Sequence, residues 1–546
     1  MVKIKVNGKD LEFASRTSYY DISKSFENCN RVPYLVKVGK DVKELRRNCK
    51  NGEEIEFLYY DNQMAYLAYA RTAILIMLKA IHDVYKDADA ALKFKVQNSY
   101  YFEIKGRTID DMGAKLIIDA YDKVVKSETI IKKIEYSKSE ASKILESNQM
   151  KDVKLLFEYI YKPTIKLRYI GDYVRYINGE LLYHTGMVKY YKIKKYNKGL
   201  LLYVSTTNDE SEVKENVIGD KEFDTLNAST NWARKLAINT VGVLNSHIAN
   251  DTFDDLVIMT ESYQDKQIGD IAEEVKKSKK KLIFIAGPSS SGKTSFANRL
   301  IYHLRALDFK PHLVPCDNFF KERVDTPKDE NGNYNFEIIE AMDTKLLNDT
   351  IGKLLNGEEM EMPKFNFEKG VKEFKGNKLK LNDNDVLVLE GIHCLNPALV
   401  PSIDQNDIFK IYVSALTEVS IDNANRISTS DLRLIRRLIR DIHLRKIDPK
   451  DTLLRWQSVR IGEEKSIFPY QERADIFFNS ALIYEFSVIK DKAIAKLFTI
   501  ADDEEVGMTA RRLIKILNFF LGVDSIAIPA HSILRDFLGN CILEVV

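Results

Sequence analysis

A phosphate-binding loop limits what this chain can fold into more than any other stretch. The apolar run Leu282–Ala286 leads into Gly287-Pro288-Ser289-Ser290-Ser291-Gly292-Lys293-Thr294, and a helical pattern follows from Ser295 to Leu307. In a G-x-x-x-x-G-K-[S/T] loop the glycines permit a tight turn whose N–H groups face phosphates, the lysine contacts the terminal phosphates, and the last hydroxyl binds Mg²⁺. The positive end of the following helix adds to the attraction. We therefore predict a nucleotide site rather than a Ser/Gly-rich surface turn, formed by Gly287, Ser289, Ser290, Ser291, Gly292, Lys293, Thr294 and Ser295.

Two acidic residues stand at the ends of later apolar runs. His312–Cys316 is followed by Asp317, and Val386–Leu389 is followed by Glu390. In a doubly wound parallel sheet, ligands bind beyond the carboxyl ends of the strands, so both carboxylates should face the phosphates held by Lys293. Asp317 then stands where a base is needed, and Glu390 can bind Mg²⁺ directly or through water.

A helical segment from Asp431 to Asp441 is rich in arginine. Arg433, Arg436, Arg437 and Arg440 are three or four residues apart and so share one helix face. A surface helix with ion pairs would account for the spacing. In a chain that binds a triphosphate, the pattern favours a lid that neutralises charge on the transferring phosphoryl group.

Composition limits the choice of partners and compartment. The 546 residues suffice for roughly three to four domains. A net charge of +2 gives no general case for nucleic acid or an acidic membrane, although a local basic patch is compatible with it. The residues Met1–Gly8 lack an apolar signal core, and the longest apolar stretch, Ala73–Met77, is too short to span a bilayer. The five scattered cysteines fit reduced thiols, so we expect a cytosolic protein with no membrane partner.

Residues 1–61 show the pattern of a small β-rich unit. Strand-like stretches occur at Lys3–Val6, Leu11–Phe13, Tyr34–Val38 and Glu54–Leu58, with an Asn7-Gly8 hairpin turn and a short helix near Tyr20–Phe26. This arrangement resembles the TGS domain, a ubiquitin-like β-grasp module. The resemblance implies a binding or regulatory role, and no residue in the unit calls for a catalytic one.

Residues 62–210 begin with a helical pattern at Met64–Tyr85. The stretches Asn98–Glu103 and Ile177–Gly186 look like the second additional domain of threonyl- and alanyl-tRNA synthetases, an α+β domain that edits mischarged tRNA. The metal-ligand-like His and Cys positions of that editing site correspond here to Arg71, Leu75, Ile177 and Leu181, so editing chemistry is expected to be absent. His184 is interpreted as a surface or packing residue. RNA-like binding, regulation and scaffolding all stay open for this region.

Residues 211–279 read as connecting helices, and residues 501–546 as a helical tail. The basic run Lys276–Lys281 precedes a buried strand. We interpret it as a solvated helix end, where cations are favoured, rather than as a nucleic-acid patch.

Residues 280–500 resemble the uridine kinase and phosphoribulokinase family of P-loop kinases. The resemblance rests on the phosphate loop and on Cys316–Phe320, Tyr334–Glu337, Glu390–Ile392, Arg436–Asp441 and Ala474–Ile476. Together with the tail motif Ile528–Gly539, the whole chain resembles a group of multidomain nucleoside kinases. The implied fold is multidomain α/β, with a P-loop parallel sheet of the nucleoside-kinase type preceded by a β-grasp domain and an α+β synthetase-like domain.

The resemblance also implies roles for single residues. Asp317 would take the proton from the substrate hydroxyl, assisted by Lys293, Arg437 and Arg440. Mg²⁺ would be held by Thr294, Glu390 and Asp317, and the substrate by Asp317, Glu337, Phe365, Arg437 and Arg445. The chain departs from uridine kinases at Phe365 and Gly370, where that family has a base-contacting Tyr and His, and at Ile447, where it has a late lid arginine. Phosphate handling is expected to be retained and base recognition altered.

The expected function is therefore ATP- and Mg²⁺-dependent phosphorylation of a hydroxyl on a small nucleoside, with uridine and then cytidine as the first choices. A kinase of a non-nucleoside sugar or sugar phosphate is one alternative. A nucleotide-dependent RNA-binding or regulatory protein, whose N-terminal domains hold RNA, is another. A homo-oligomer is left open by the sequence.

Overall fold

The computed structural model of this chain describes residues 1–6, 8–25, 31–205, 211–215, 218–328, 332, 334–503 and 505–543. Asn7 of the predicted hairpin turn and Phe26 at the end of the predicted first helix lie outside these residues. The phosphate loop and every predicted site residue lie within them.

The N-terminal residues form a mixed five-stranded sheet in the order β2-β1-β5-β3-β4. Strand β1 pairs antiparallel with β2 and parallel with β5. Helix α1, capped by the Ser18 hydroxyl, buries Tyr19 and Ile22. Strand β4 is absent from the sequence prediction, because Asp41–Glu44 has too few apolar residues to show an alternating pattern. The elements are β1 (Val2–Val6), β2 (Lys9–Phe13), α1 (Tyr19–Lys24), β3 (Leu35–Val38), β4 (Asp41–Glu44) and β5 (Glu54–Leu58).

The next region has a four-stranded sheet, β11-β12-β7-β6, and a three-stranded sheet, β10-β9-β8, packed with helices. Its elements are α2 (Gln63–Val84), β6 (Ala90–Val96), β7 (Ser99–Ile104), α3 (Asp111–Lys126), β8 (Lys132–Ser137), α4 (Lys138–Ser147), α5 (Lys151–Glu158), β9 (Thr164–Ile170), β10 (Tyr173–Arg175), β11 (Tyr191–Tyr196) and β12 (Gly199–Val204).

Helix α2 corrects one sequence expectation, that no segment is long and apolar enough to cross a membrane. By length and composition the helix passes that test, but 72% of its most apolar window is buried inside the fold. Its apolar side chains pack in the same hydrophobic core as the first sheet. Core helices commonly have this composition, because they are surrounded by apolar neighbours on most sides.

Three further helices, α6 (Asp220–Lys235), α7 (Val241–Ala249) and α8 (Phe253–Ser278), connect this region to the second half of the chain. The basic run lies where α8 ends, with Lys279 in the left-handed conformation as its C-cap. Helix α8 packs against the helix after the phosphate loop, where the buried Arg299 Nη1 donates to Gln264 Oε1 at 3.0 Å.

The second half is built on a five-stranded sheet in the order β14-β17-β13-β18-β19, in which all pairings are parallel. Strand β13 is buried along its whole length because helices cover both faces, which confirms the predicted parallel sheet. Its elements are β13 (Leu282–Ala286), α9 (Lys293–Ala306), β14 (Lys310–Pro315), α10 (Thr344–Leu355), β15 (Met360–Asn366), β16 (Val371–Leu379), β17 (Asp385–Glu390), β18 (Ile408–Ser414), α11 (Thr429–Leu444), α12 (Pro449–Ser466), β19 (Ile476–Asn479), α13 (Glu485–Phe498), α14 (Gly507–Leu517) and α15 (Arg535–Leu538).

The loop between β18 and α11 is held by elements of the first half. Asn423 N donates to Asp152 Oδ2 at 2.7 Å, and the Asn423 carbonyl accepts from Leu92 N at 2.8 Å. Asn425 Oδ1 accepts from Asn178 N at 2.7 Å. The N-terminal elements therefore contact the chain immediately before the arginine-bearing helix α11.

Candidate active site

The phosphate loop connects β13 to α9, and its two glycines are required by its surroundings. A Cβ on Gly287 would come within 2.0 Å of the Val413 carbonyl on the neighbouring strand β18. Gly292 is the N-cap of α9 and has φ of +83°, a conformation that favours glycine. The loop therefore approaches the sheet closely and directs the N-terminus of α9 toward the space above it.

The serine hydroxyls of the loop differ in their partners. Ser289 N donates to Glu463 Oε1 at 3.0 Å, and Ser289 Oγ accepts from Arg437 Nη1 at 3.0 Å. Within the part of the chain that the structure describes, the buried hydroxyls of Ser290 and Ser291 have no hydrogen-bond partner. Buried hydroxyl groups are normally paired, so these two suit a ligand with phosphate oxygens.

Lys293, Thr294 and Glu390 meet at the carboxyl edge of the sheet. Lys293 Nζ lies 3.7 Å from Glu390 Oε1, and Thr294 Oγ1 lies 3.3 Å from Glu390 Oε2. Burial raises the pKa of Glu390, and the Lys293 charge opposes that rise. A hydroxyl beside a carboxylate is a donor set that fits Mg²⁺, which completes its shell with water and phosphate oxygens. No cluster of three or more His, Cys, Asp or Glu that could hold a metal occurs among the described residues, so the phosphates would have to supply the remaining ligands.

Asp317 lies in a turn directly after β14, at the same edge of the sheet. Its side chain is accessible to solvent. The surrounding protein nevertheless raises its pKa by desolvation, while the charges of Lys293 and Arg445 oppose that rise. Asp317 is thus within the electrostatic reach of Lys293 and open to an incoming hydroxyl.

Glu337 approaches the same space from the segment before α10. Burial and the charge of Glu463 raise its pKa to about 7, against the opposing charges of Arg437 and Lys293. A Cβ on Gly462 of α12 would lie 2.5 Å from the Glu337 Cβ, so a glycine there allows the close approach.

Three arginines surround the buried carboxylate of Asp441. Arg437 Nε lies 3.4 Å from Asp441 Oδ2, and Arg440 Nε and Arg445 Nη1 each lie 3.7 Å from Asp441 Oδ1. Burial and the charge of Arg445 lower the pKa of Arg440 to about 10. Since one carboxylate neutralises one of three positive charges, this group keeps an excess that suits phosphate.

The other two arginines of the predicted lid face have structural partners instead. Arg433 Nη2 donates to Glu463 Oε2 at 2.7 Å, and Arg436 Nε donates to Glu485 Oε2 at 2.8 Å. Arg433 and Arg436 are 1% and 0% exposed. The expectation of a four-arginine lid face is therefore wrong for these two, because their acidic partners lie on α12 and α13, where helix spacing could not reveal them.

The predicted base-contacting positions are arranged unexpectedly. Phe365 is only 4% exposed and packs with Phe320 and Phe367 at centroid distances of 6.0 and 5.1 Å. Gly370 has φ of +73°, and the space its side chain would fill is taken by Arg323, whose Nη1 donates to the Glu368 carbonyl at 3.2 Å. Sequence reasoning gave Arg323 no role, because its contact with Gly370 depends on the hairpin β15-β16.

The editing-site positions of the first half hold no ligand cluster. Leu75, Ile177 and Leu181 are buried, and Arg71 packs over Gly179. His184 Nε2 lies 3.3 Å from the Tyr20 hydroxyl, in keeping with its interpretation as a packing residue.

Comparison with known proteins identifies the second half of the chain. A model of the "Phosphoribulokinase / Uridine kinase family" matches residues 282–484. A uridine kinase of Halobacterium salinarum is 30% identical over 36% of this chain and 77% of its own length. A uridine kinase of a Geobacillus species is 30% identical over 36% of this chain and 83% of its own. Among solved structures, D-glycerate 3-kinase of Cryptococcus neoformans aligns at 14% identity over 50% of this chain and 88% of its own, with a TM-score of 0.22.

Proposed function

This chain belongs to the phosphoribulokinase and uridine kinase family and is an ATP-dependent kinase, and on that premise we propose that it phosphorylates a hydroxyl of a nucleoside, uridine or cytidine, to give the monophosphate. The observation that carries the proposal is the position of Asp317, open to solvent at the end of β14 and within the field of Lys293. The relatives named as uridine kinases support a nucleoside as acceptor.

In this proposal Asp317 accepts the proton of the acceptor hydroxyl as its oxygen attacks the γ-phosphorus of ATP. A raised pKa suits that role, since a general base works best when its pKa lies near the operating pH. Lys293, Arg437 and Arg440 bind the phosphate oxygens and balance the charge that spreads over them during transfer. Arg437 is already oriented toward the loop by its bond to Ser289 Oγ.

We propose that Thr294 and Glu390 would hold Mg²⁺, with Asp317 taking part through water. When bound, the ion neutralises charge on the β- and γ-phosphates. Lys293 and Thr294 are kept in place by Glu390, whose two carboxylate oxygens face one residue each.

We propose that Glu337 and Arg445 bind the acceptor. Phe365 would support the acceptor site through the aromatic cluster rather than by presenting an exposed ring face. The 4% exposure of Phe365 leaves little ring surface for stacking on a base. A sugar or sugar phosphate is therefore the second candidate for the acceptor, because it would need the carboxylate and the arginine but no base pocket.

Transfer of labelled phosphate tests directly which acceptor the kinase phosphorylates. Radiolabelled ATP with Mg²⁺ should give labelled monophosphate with uridine or cytidine, in a panel that includes other nucleosides and pentose phosphates. Lys293→Ala should give no product, because the terminal phosphates lose their cation. Lys279→Ala, at the exposed end of α8, is the matched control and should keep full activity.

If only pentose phosphates give product, the acceptor is a sugar phosphate rather than a nucleoside. Product from none of the acceptors would contradict the nucleoside proposal and favour nucleotide-dependent RNA binding. A cavity of about 290 Å³ near the N-terminus is lined by Arg46, Arg47, Lys133 and Lys166 together with Asn48 and Glu135. Because Arg46 and Lys133 pair with Glu44 and Lys166 pairs with Glu135, Arg47 is the cation there that a phosphate backbone would meet first.

The raised pKa of Glu337 predicts a pH dependence of acceptor use. The value of about 7 lies above the ordinary value of 4.5, so the carboxylate is lost as pH falls below about 7. Once it is protonated, Glu337 is no longer an anion that can accept hydrogen bonds from two sugar hydroxyls. We therefore expect kcat/KM for the acceptor to fall about tenfold per pH unit below 7, as measured in steady-state assays at saturating ATP.

The surrounding protein also raises the pKa of Asp317, so a variant has to separate the two carboxylates. Glu337→Gln should have low kcat/KM throughout and lack the inflection near pH 7. Glu340→Gln, at a neighbouring exposed acid, should keep the parent profile. An unchanged inflection in Glu337→Gln would remove the assignment.

For the N-terminal half we propose a β-grasp module over residues 1–61 and a synthetase-like α+β domain over residues 62–210. The first is supported by the strand order β2-β1-β5-β3-β4 with parallel β1 and β5, and the second by two antiparallel sheets packed with helices. A connector over 211–279, a kinase domain over 280–500 and a tail over 501–546 complete the proposed division.

A further inference from the structure

The loop that precedes α11 is docked on the first half of the chain through one buried asparagine. Asn425 is 8% exposed, and both ends of its side-chain amide are bonded. Asn425 Oδ1 accepts from Asn178 N at 2.7 Å, and Asn425 Nδ2 donates to the Tyr176 carbonyl at 3.2 Å. An amide suits this backbone segment, because it offers an acceptor and a donor together.

The same loop is closed into a tight turn directly before the helix. Asp422 Oδ1 accepts from Ala424 N at 2.8 Å and from Asn425 N at 3.0 Å. Asn425 Nδ2 also donates to Asp422 Oδ2 at 2.7 Å. The side chain of Ala424 packs in the hydrophobic core of the first half. Since Ser428, the N-cap of α11, follows at once, the loop and the start of the helix are held as one unit.

Helix α11 connects this unit to the phosphate loop. The helix is continuous from Thr429 to Leu444, and Arg437 lies about 14 Å along its axis from Ser428. Arg437 Nη1 donates to Ser289 Oγ at 3.0 Å, and Arg433 Nη1 donates to the Ser289 carbonyl at 3.1 Å. Hydrogen bonds and one rigid helix therefore join the first half of the chain to the loop that binds phosphate.

We propose that Asn425 is a positioning residue, by which the first half of the chain holds α11, and with it Arg437, where Arg437 binds the phosphates of ATP. The inference rests on the proposed function of Arg437. Asn425 lies within the residues 282–484 that the family model matches, whereas its partners Tyr176 and Asn178 lie outside them. The role thus gives the proposed domain over residues 62–210 a task in the kinase reaction that requires no RNA.

The test is ATP binding by full-length Asn425→Ala, measured by calorimetric titration with Mg²⁺ present. Loss of the bonds to Tyr176 and Asn178 should weaken ATP binding about 10-fold, within the range typical of coupled sites. The matched control is Asn423→Ala in the same loop, which should keep the parent affinity. Its side chain donates to Asp89 Oδ1 at 3.3 Å in an exposed position, and its other bonds to the first half are made by the backbone.

A double-mutant cycle separates positioning from a general loosening of the fold. If Asn425 acts through Arg437, then Asn425→Ala should have little further effect on ATP affinity in an Arg437→Gln background. Three results would overturn the proposal: parent affinity in Asn425→Ala, an equal loss in Asn423→Ala, or effects that simply multiply in the double variant.

Lys293→Ala distinguishes failure of this inference from failure of the proposed site. Because ATP binding requires no acceptor, neither result depends on which acceptors the phosphate-transfer panel identifies. If Lys293→Ala bound ATP as tightly as the parent, the phosphate site would be misplaced and the inference would fall with it. Weak binding by Lys293→Ala with parent affinity in Asn425→Ala would overturn the inference alone.

Should Asn425→Ala fail to fold, hydrogen exchange of the Asn178 amide in the wild-type chain decides instead. Coupling between two sites is reciprocal, so ATP bound by Arg437 should stabilise the docked loop and slow exchange of this amide. An unchanged exchange rate on ATP binding would overturn the role of Asn425.

Discussion

Replacing Asp317 with asparagine should lower kcat by about 10²–10⁴-fold and leave ATP binding largely intact. Asparagine keeps the size and polarity of the side chain but cannot accept the proton of the acceptor hydroxyl. The phosphates remain held by Lys293 and by the N-terminus of α9, neither of which the substitution alters. The measurement is steady-state phosphate transfer to the best acceptor, together with a calorimetric titration of ATP.

The matched control lies at the other end of the same strand. Asp308 is exposed, precedes β14 and has φ of +69°, a conformation that asparagine tolerates well. Asp308→Asn should therefore keep both kcat and ATP affinity. If Asp317→Asn turned over at the parent rate, Asp317 would not be the base. If it lost ATP binding as well, Asp317 would act mainly on the nucleotide or its metal.

The features that could be predicted from sequence are those whose cause is local. The phosphate loop needs glycine at fixed positions beside a fully buried strand, so its pattern and the bounds Leu282–Ala286 are visible in the chain itself. The carboxyl ends of parallel strands meet at one edge, which is why Asp317 and Glu390 could be expected together. Both follow apolar runs that end where the structure ends β14 and β17, within two residues.

The arginines of α11 show where local reasoning fails. Spacing alone gives Arg433, Arg436, Arg437 and Arg440 a common direction, but the acidic partners of Arg433 and Arg436 lie on other helices. Arg433 and Arg436 are buried in ion pairs with Glu463 and Glu485. Arg437 and Arg440 lie beside Asp441 at the site. A buried arginine and a phosphate-binding arginine have the same sequence signature, because only the position of the nearest carboxylate distinguishes them.

Gly462 and the C-terminal tail lay outside prediction for the same reason. A glycine is needed at position 462 only because Glu337, which is distant along the chain, packs against it. The motif Ile528–Gly539 could be noticed as a motif, but its contact with Gly292 depends on how the tail folds back over the kinase region. Contacts of high sequence separation have no periodicity that a single sequence can reveal.

Removing the carboxylate of Glu463 should have the largest effect on stability. Glu463 is 0% exposed and pairs with Arg433, which is 1% exposed, while also accepting from Ser289 N at 3.0 Å. Glu463→Ala leaves a buried guanidinium without its counter-ion and a loop N–H without its acceptor. The expected cost is about 3–5 kcal/mol in the free energy of unfolding.

Urea unfolding followed by tryptophan fluorescence measures this cost locally. The Trp456 ring lies 5.3 Å from the Arg433 guanidinium, so its emission reports on this region. The chain has 2 tryptophans, and a Trp232→Phe background leaves Trp456 as the reporter. The matched control is Glu464→Ala, one position along α12, where the carboxylate is 61% exposed and pairs with Arg460. That exposed pair should be worth at most about 1 kcal/mol.

A double substitution then distinguishes an unpaired charge from lost packing. Arg433→Met with Glu463→Leu replaces the buried pair by apolar side chains of similar length and leaves no buried charge, so most of the stability lost in Glu463→Ala should return. We expect ATP affinity to be lower than that of the parent in both Glu463→Ala and the double variant, because Ser289 N lacks its acceptor in each. If the double variant were as unstable as Glu463→Ala, or if Glu464→Ala lost as much, the cost would come from packing of α12 rather than from the unpaired Arg433.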